Sequence, residues 1–262
     1  MYAVSHPAAA VTMCRQVIAG TGYIRVVARV ATMALGLAGC AFHTNAAVDS
    51  PPVGMDAAIV DGPSVEQPML VQQAKAEAPN SNTPLLTTLP APPIAGHLLV
   101  AIGADEAGGL NSVTGGGVAS WSLAAQSLAN TNIEVWYGIT DGSSATVTVT
   151  ADQDNLPMWV VVGEWSGAGV FDGAKSANGT TSPASAGAQS VHAHDLVIFG
   201  VADQAPTTFG MPGGGWMELM PASSNHTEQR VWFTVAAATG TLAPSVTETA
   251  LSWDAAVAAF RH

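Results

Sequence analysis

Apolar and polar residues alternate with period two along "ATVTVTA" at 145–151, which puts Val147 and Val149 on one face of a strand and the threonines on the other. "NIEVWYGIT" at 132–140 follows the same rule, with Ile133, Val135, Tyr137 and Ile139 pointing inward. "HLLVAIGA" from His97 and "DLVIFGVA" from Asp195 are unbroken apolar runs of strand length, the pattern of strands covered on both faces or central to a sandwich. Asp-Gly, Gly-Gly, Pro-Pro and Asn-Gly pairs interrupt these runs at intervals too short for crossover helices, so hairpins and Greek-key arches are predicted to connect them. The class this predicts is all-β, an antiparallel β-sandwich.

The pattern also recurs. "HLLVAIGADEAG" at 97–108 returns loosely as "DLVIFGVADQAP" at 195–206, and "EVWYGIT" returns as "RVWFTVA" with Trp136 matched to Trp232. Offsets of 95 to 98 residues hold over four blocks, so the sandwich is read as two pseudo-repeated halves, about 96–191 and 194–262. Each half offers few recognisable strands, which favours one domain whose halves feed the same pair of sheets. Two similar modules in tandem are the alternative.

Composition agrees with strands and narrows the partners. Of 262 residues, 48% are hydrophobic and only 10% charged, enough to bury a sizeable core with few salt-bridged helices. A net charge of −12 argues against a nucleic-acid partner, because binding to phosphates depends on Lys and Arg. The charge is unevenly spread. Arg15, Arg25 and Arg29 precede Cys40, and every Asp and Glu follows it.

A basic start, a short apolar stretch at about 30–38 and small residues after it read as a secretory signal peptide over 1–39. Leu37-Ala38-Gly39-Cys40 resembles a bacterial lipobox, a resemblance that implies cleavage before Cys40 and lipidation of its sulfur. Export to the bacterial cell envelope, at the outer membrane or cell surface, follows from that resemblance. The chain would then be anchored to the membrane without spanning it, which takes more than one acyl chain. From Cys40 to Gln67 the sequence is acidic, Pro-containing and without sustained periodicity, as a disordered tether would be. The folded part is expected over 68–262.

"LPAPPIAGHLLVAIG", "NIEVWYG", "ATVTVT", "VVVGEWSGAGVFDGAKS", "HDLVIFGVAD" and the closing "AAVAAFRH" together resemble a jelly-roll type of β-sandwich found in secreted bacterial proteins and phage tail proteins. The resemblance implies fold more than function. Members of that group are mostly uncharacterised and often taken to bind or adhere, and it carries over no catalytic motif.

Candidate chemistry is sparse. In "HAHD" at 192–195, His192 and His194 are placed as metal ligands or, as the repeat favours, as a turn into a buried strand with no third ligand fixed. Asp152 and Asp154 suit a calcium loop or an ordinary hairpin tip. Glu164 and Asp172 are weighed as a carboxylate pair for glycoside hydrolysis, against a strand-end Glu satisfied by backbone donors. The sequons at Asn178 and Asn225 carry little weight in a bacterial protein. No catalytic residue, metal or cofactor is assigned.

Aromatic residues carry the sharper expectation. With odd-numbered residues inward on 132–140, Trp136 faces outward beside Glu134. With Val231, Phe233 and Val235 inward, Trp232 faces outward beside Arg230. These four residues are the candidate ligand-binding set, since flat aromatics stack on sugar faces. The role this predicts is non-catalytic binding or adhesion, with a polysaccharide as partner. The alternatives are an envelope protein packing against a protein partner and a secreted hydrolase.

Overall fold

The computed structural model describes residues 66–79, 83–106, 108–151, 156–203, 208–219, 222–223, 228–249 and 252–262. The chain from Val60 to His262 forms one compact unit. Its strands are β1 (Met69–Ala78), β2 (Leu85–Thr88), β3 (Leu98–Asp105), β4 (Leu110–Gly115), β5 (Ser122–Ser127), β6 (Ile133–Ile139), β7 (Thr146–Ala151), β8 (Met158–Ser166) and β9 (Val170–Gly179). They continue as β10 (Ala184–Ser185), β11 (Gln189–Val191), β12 (Leu196–Asp203), β13 (Met217–Glu218), β14 (Ala222–Ser223), β15 (Glu228–Val235), β16 (Gly240–Leu242), β17 (Ser245–Val246) and β18 (Trp253–Arg261). Every pairing is antiparallel. The all-β sandwich expected from period-two patterning is the observed fold.

Strands β1 to β8 divide between a five-stranded sheet, β1-β8-β3-β6-β5, and a three-stranded sheet, β2-β7-β4. That distribution of successive strands is a jelly-roll order. Strands β9 to β18 form a second large sheet, β13-β15-β12-β18-β9 with β14 also on β15, and two short ladders, β10-β17 and β11-β16. The expectation that halves 96–191 and 194–262 feed one shared pair of sheets is corrected: the second half adds no strand to the sheets of β1 to β8, while β9, β10 and β11 of the first pair with β18, β17 and β16 of the second. β12 bonds to β15 and β18, and β3 bonds to β6 and β8, so the two blocks lie in different sheets.

The unbroken apolar runs explain this arrangement. All eight residues of β3 and all eight of β12 are buried. Leu98, Val100 and Ile102 join Leu196, Ile198 and Ala202 in a central core between the two large sheets. Their neighbours turn the other way. Leu99 and Ala101 pack beneath the three-stranded sheet with Val113, Val147 and Val149. Val197, Phe199 and Val201 pack with Ala184, Val191 and Val246 from the ladders. A strand apolar on both faces needs cover on both, so the layers number four and each large sheet lies inside.

Two glycines allow indoles to lie on the backbone. A Cβ on Gly163 would sit 2.2 Å from the Trp165 ring, and one on Gly179 would sit 2.4 Å from that of Trp253. Close approach by a neighbouring group is a usual reason for glycine within a strand.

The halves are also joined by one carboxylate. Asp254 on β18 is fully buried and accepts from Ser127 Oγ (2.5 Å) and from the backbone N–H groups of Ala129 (3.2 Å), Asn130 (2.7 Å) and Thr131 (2.7 Å). It thereby shapes the β5–β6 connection from the opposite large sheet.

Candidate functional site

The three-stranded sheet is narrower than the sheet it covers. Its core takes in residues of β1, β8 and β3 and reaches Trp136 on β6, but includes none from β5. A shelf formed by β6 and β5 is left beyond its margin. Trp136 is half-buried there, and its indole N–H donates to Glu134 Oε2 (2.6 Å). Glu134 is buried, so this bond fixes the angle of the indole from below the surface. Across the strand pair, Leu123 faces Trp136 and Gln126 faces Glu134. Cross-strand partners share a face, so these four side chains form one patch. Leu123 is 40% exposed, and Leu128 at the end of β5 is 47% exposed.

Leu123 and Gln126 also line a shallow groove of about 400 Å³ where edge strand β5 meets edge strand β9. Lys175 and Ser176 form its opposite wall. Lys75, Arg230 and Arg261 each pair with a carboxylate. Lys175 instead brings a cation to the groove.

The second tryptophan departs from expectation. Trp232 does face away from the central core, as the alternation predicts, yet it is only 1% exposed. The β10-β17 and β11-β16 ladders supply the core that covers it, and its ring stacks on Phe199 (centroids 5.7 Å apart, 24° between planes) and meets Phe209 edge-on (6.4 Å). Its indole N–H has no acceptor among the described residues, so the side chain serves packing. Arg230 is held as well. Its guanidinium donates to Glu228 (2.8 Å) and Glu218 (2.8 Å). Burial works against the charge of Arg230, but these two carboxylates outweigh it and keep the guanidinium protonated more firmly than usual. Trp136 and Trp232 are thus not two copies of one exposed feature.

At the entries to the two central strands the chain makes matching turns. Gly96 (φ +87°) and His194 (φ +71°) both adopt the left-handed conformation, and their N–H groups donate to Thr140 and Ala236 respectively. The turn reading of His194-Asp195 therefore holds. His97, next to Gly96, donates from Nδ1 to Glu164 (2.6 Å), which is fully buried and also accepts from the Ile94 N–H (2.8 Å) and Gln72 (2.5 Å). Glu164 is thus satisfied by a backbone donor and two side chains. Asp172 has different partners, so the two carboxylates share none.

Asp172 on β9 joins a second cluster that the sequence does not reveal. Its Oδ2 accepts from His192 Nδ1 (2.8 Å) and its Oδ1 pairs with Arg261. Asp195 Oδ2 accepts from the His192 backbone N–H (2.6 Å) and lies 3.7 Å from His192 Nδ1. Burial opposes ionisation of Asp172, but hydrogen bonds from His192 and Asp195 and the charge of Arg261 hold its carboxyl below the usual range. Asp195 moves the other way. Burial, followed by the nearby Asp172 carboxyl, pushes it up against the pull of the His192 N–H. His194 stands apart, with Nδ1 3.2 Å from Gln67 Nε2. The two histidines of "HAHD" therefore part, and a distant aspartate replaces the second.

Cys40, the signal peptide, most of the tether, Asp152, Asp154 and Asn225 lie outside the described residues. Compared with protein-family models, curated proteins and solved structures, the chain matches none of them.

Proposed function

We propose that the chain is an exported, lipid-anchored protein that binds a glycan at the bacterial cell surface without catalysis. The observation that carries this reading is the uncovered β5–β6 shelf, where an indole fixed by a buried carboxylate adjoins a groove lined by Gln126, Lys175 and Ser176. Sugar binding uses an aromatic face together with directional polar groups, and an indole held in advance loses little rotamer freedom when a ligand arrives. Trp136 is the aromatic member. Trp232 and Arg230 do not belong to this site, because packing and ion pairs already occupy them.

Attachment through Cys40 places the module outside the cytosol with a tether between bilayer and shelf. Among the described residues no helix is long and apolar enough to cross a membrane, and the proposed anchor needs none. The role as a binder rather than a hydrolase draws support from Glu164 and Asp172, each held by partners of its own. A second reading, an envelope protein docking on a protein partner through the same shelf, draws support from exposed Leu123 and Leu128.

The test is a glycan array probed with the chain from Cys40 onward and with its Trp136→Ala variant. Binding of a sugar class by the parent, weakened at least tenfold in the variant with its fold intact, is the expected result. An empty array from a folded parent refutes glycan binding and leaves the protein-partner reading.

A further inference from the structure

We propose that Asp172, His192 and Asp195 form a binding site for a zinc-class divalent cation, separate from the shelf. The three residues come from β9 and from the turn before β12, and one ligand atom from each lies within 4.8 Å of the others. Donor chemistry selects the ion. One imidazole nitrogen with two carboxylates suits zinc and its neighbours among the transition metals, whereas calcium and magnesium favour all-oxygen sets.

The spacing fits the same class. Metal–ligand distances of about 2.0–2.2 Å in a tetrahedron separate ligand atoms by roughly 3.3–3.6 Å. Asp172 Oδ2 and Asp195 Oδ2 lie 2.8 and 3.7 Å from His192 Nδ1, so the atoms bracket that value and need only small shifts. Each carboxylate is already oriented by a further contact. Arg261 holds Oδ1 of Asp172, leaving Oδ2 on the cluster side, and the His192 backbone N–H holds Oδ2 of Asp195. Such outer contacts tune and orient metal ligands.

The balance of protons and charge is simple. Binding requires a neutral imidazole with its proton on Nε2 and both carboxylates ionised, so the Nδ1 proton moves to Nε2, or from an imidazolium to solvent, and the proton that Asp195 shares with Asp172 leaves to solvent. With those protons gone, two carboxylates, a neutral imidazole and Arg261 carry a net charge of about −1, which the ion turns to about +1. The His192 side chain is 54% exposed, so the site has an entry path and room for water as a fourth ligand.

The experiment uses the chain from Cys40 onward with Cys40→Ser, freed of metal by chelator and titrated with zinc chloride in a non-coordinating buffer by calorimetry. The expected result is one saturable equivalent, weakened at least tenfold in both His192→Ala and Asp172→Asn, with magnesium failing to compete. Cobalt in place of zinc should give a visible absorption band in the parent that His192→Ala lacks. His192 is exposed enough for its alanine variant to fold, which circular dichroism checks, and Asp172→Asn preserves shape. The absence of saturable binding, or binding of equal strength in His192→Ala, overturns the assignment. Glycan binding by Trp136 is read on the array and is unaffected by either outcome.

Discussion

Asp254 joins the two halves, and its removal should show how far they depend on each other. Its carboxylate collects four donors: Ser127 Oγ and the N–H groups of Ala129, Asn130 and Thr131. An asparagine there can turn its carbonyl toward Asn130 and Thr131 and donate its amide to Ser127 Oγ, which also donates to Ala177 O. Asp254→Asn then loses the Ala129 contact and downgrades three charge-assisted bonds to neutral ones. At about 1 kcal/mol for each downgrade, the cost is about 3–4 kcal/mol. Asp254→Ala leaves three backbone N–H groups without their acceptor, while Ser127 keeps Ala177 O, for about 4–6 kcal/mol. With about 2–4 °C per kcal/mol for a folded part of this size, Tm should fall by about 7–14 °C and 10–20 °C respectively. Urea unfolding followed by tryptophan fluorescence checks both values. If Asp254→Ala stays within about 1 kcal/mol of the parent, the carboxylate does not organise the connection.

Trp232→Ala should cost about 3–5 kcal/mol in urea unfolding, whereas Trp232→Phe should cost less than about 1.5, because the indole N–H has no acceptor to lose. Gly163→Ala should destabilise by about 1–3 kcal/mol, since the new methyl meets the fully buried Trp165 ring; a neutral result means the ring can move aside. Glu164→Ala should cost about 3 kcal/mol by thermal or urea unfolding, as Ile94, Gln72 and His97 lose a shared acceptor. Cys40→Ser should abolish palmitate labelling and release the chain from the membrane fraction; label persisting on the variant refutes anchoring at that residue.

Period-two alternation and unbroken apolar runs mark strands of both inner sheets and one strand of the outer three-stranded sheet. The segments read at 97–104, 132–140, 145–151 and 195–202 became β3, β6, β7 and β12, because burial on one face or two leaves a mark on side-chain identity. Ile139 is an exception. It ends its strand 45% exposed although alternation turns it inward, since the core stops short of that end. Which strands share a sheet was not legible, because backbone pairing is made by groups every residue carries. The fate of Trp232 was hidden for a related reason. Alternation does turn it outward, but its cover comes from ladders of two and three residues, too short to show any period. The third member of the His192 cluster stayed unseen because Asp172 is distant along the chain and is brought near only when β9 pairs with β18.

The central core has a consequence for how the chain can be divided. Only Gly167, Ala168 and Gly169 separate β8 from β9, and the inner apolar faces of the two large sheets pack on each other. A cut in that short bridge would leave two fragments, each with a sticky wall of leucine, isoleucine and valine facing water. Neither would behave as an independent bead on a string. Made as separate polypeptides they should seek each other out and rejoin, so the bridge is a natural place to split this protein into a complementing pair.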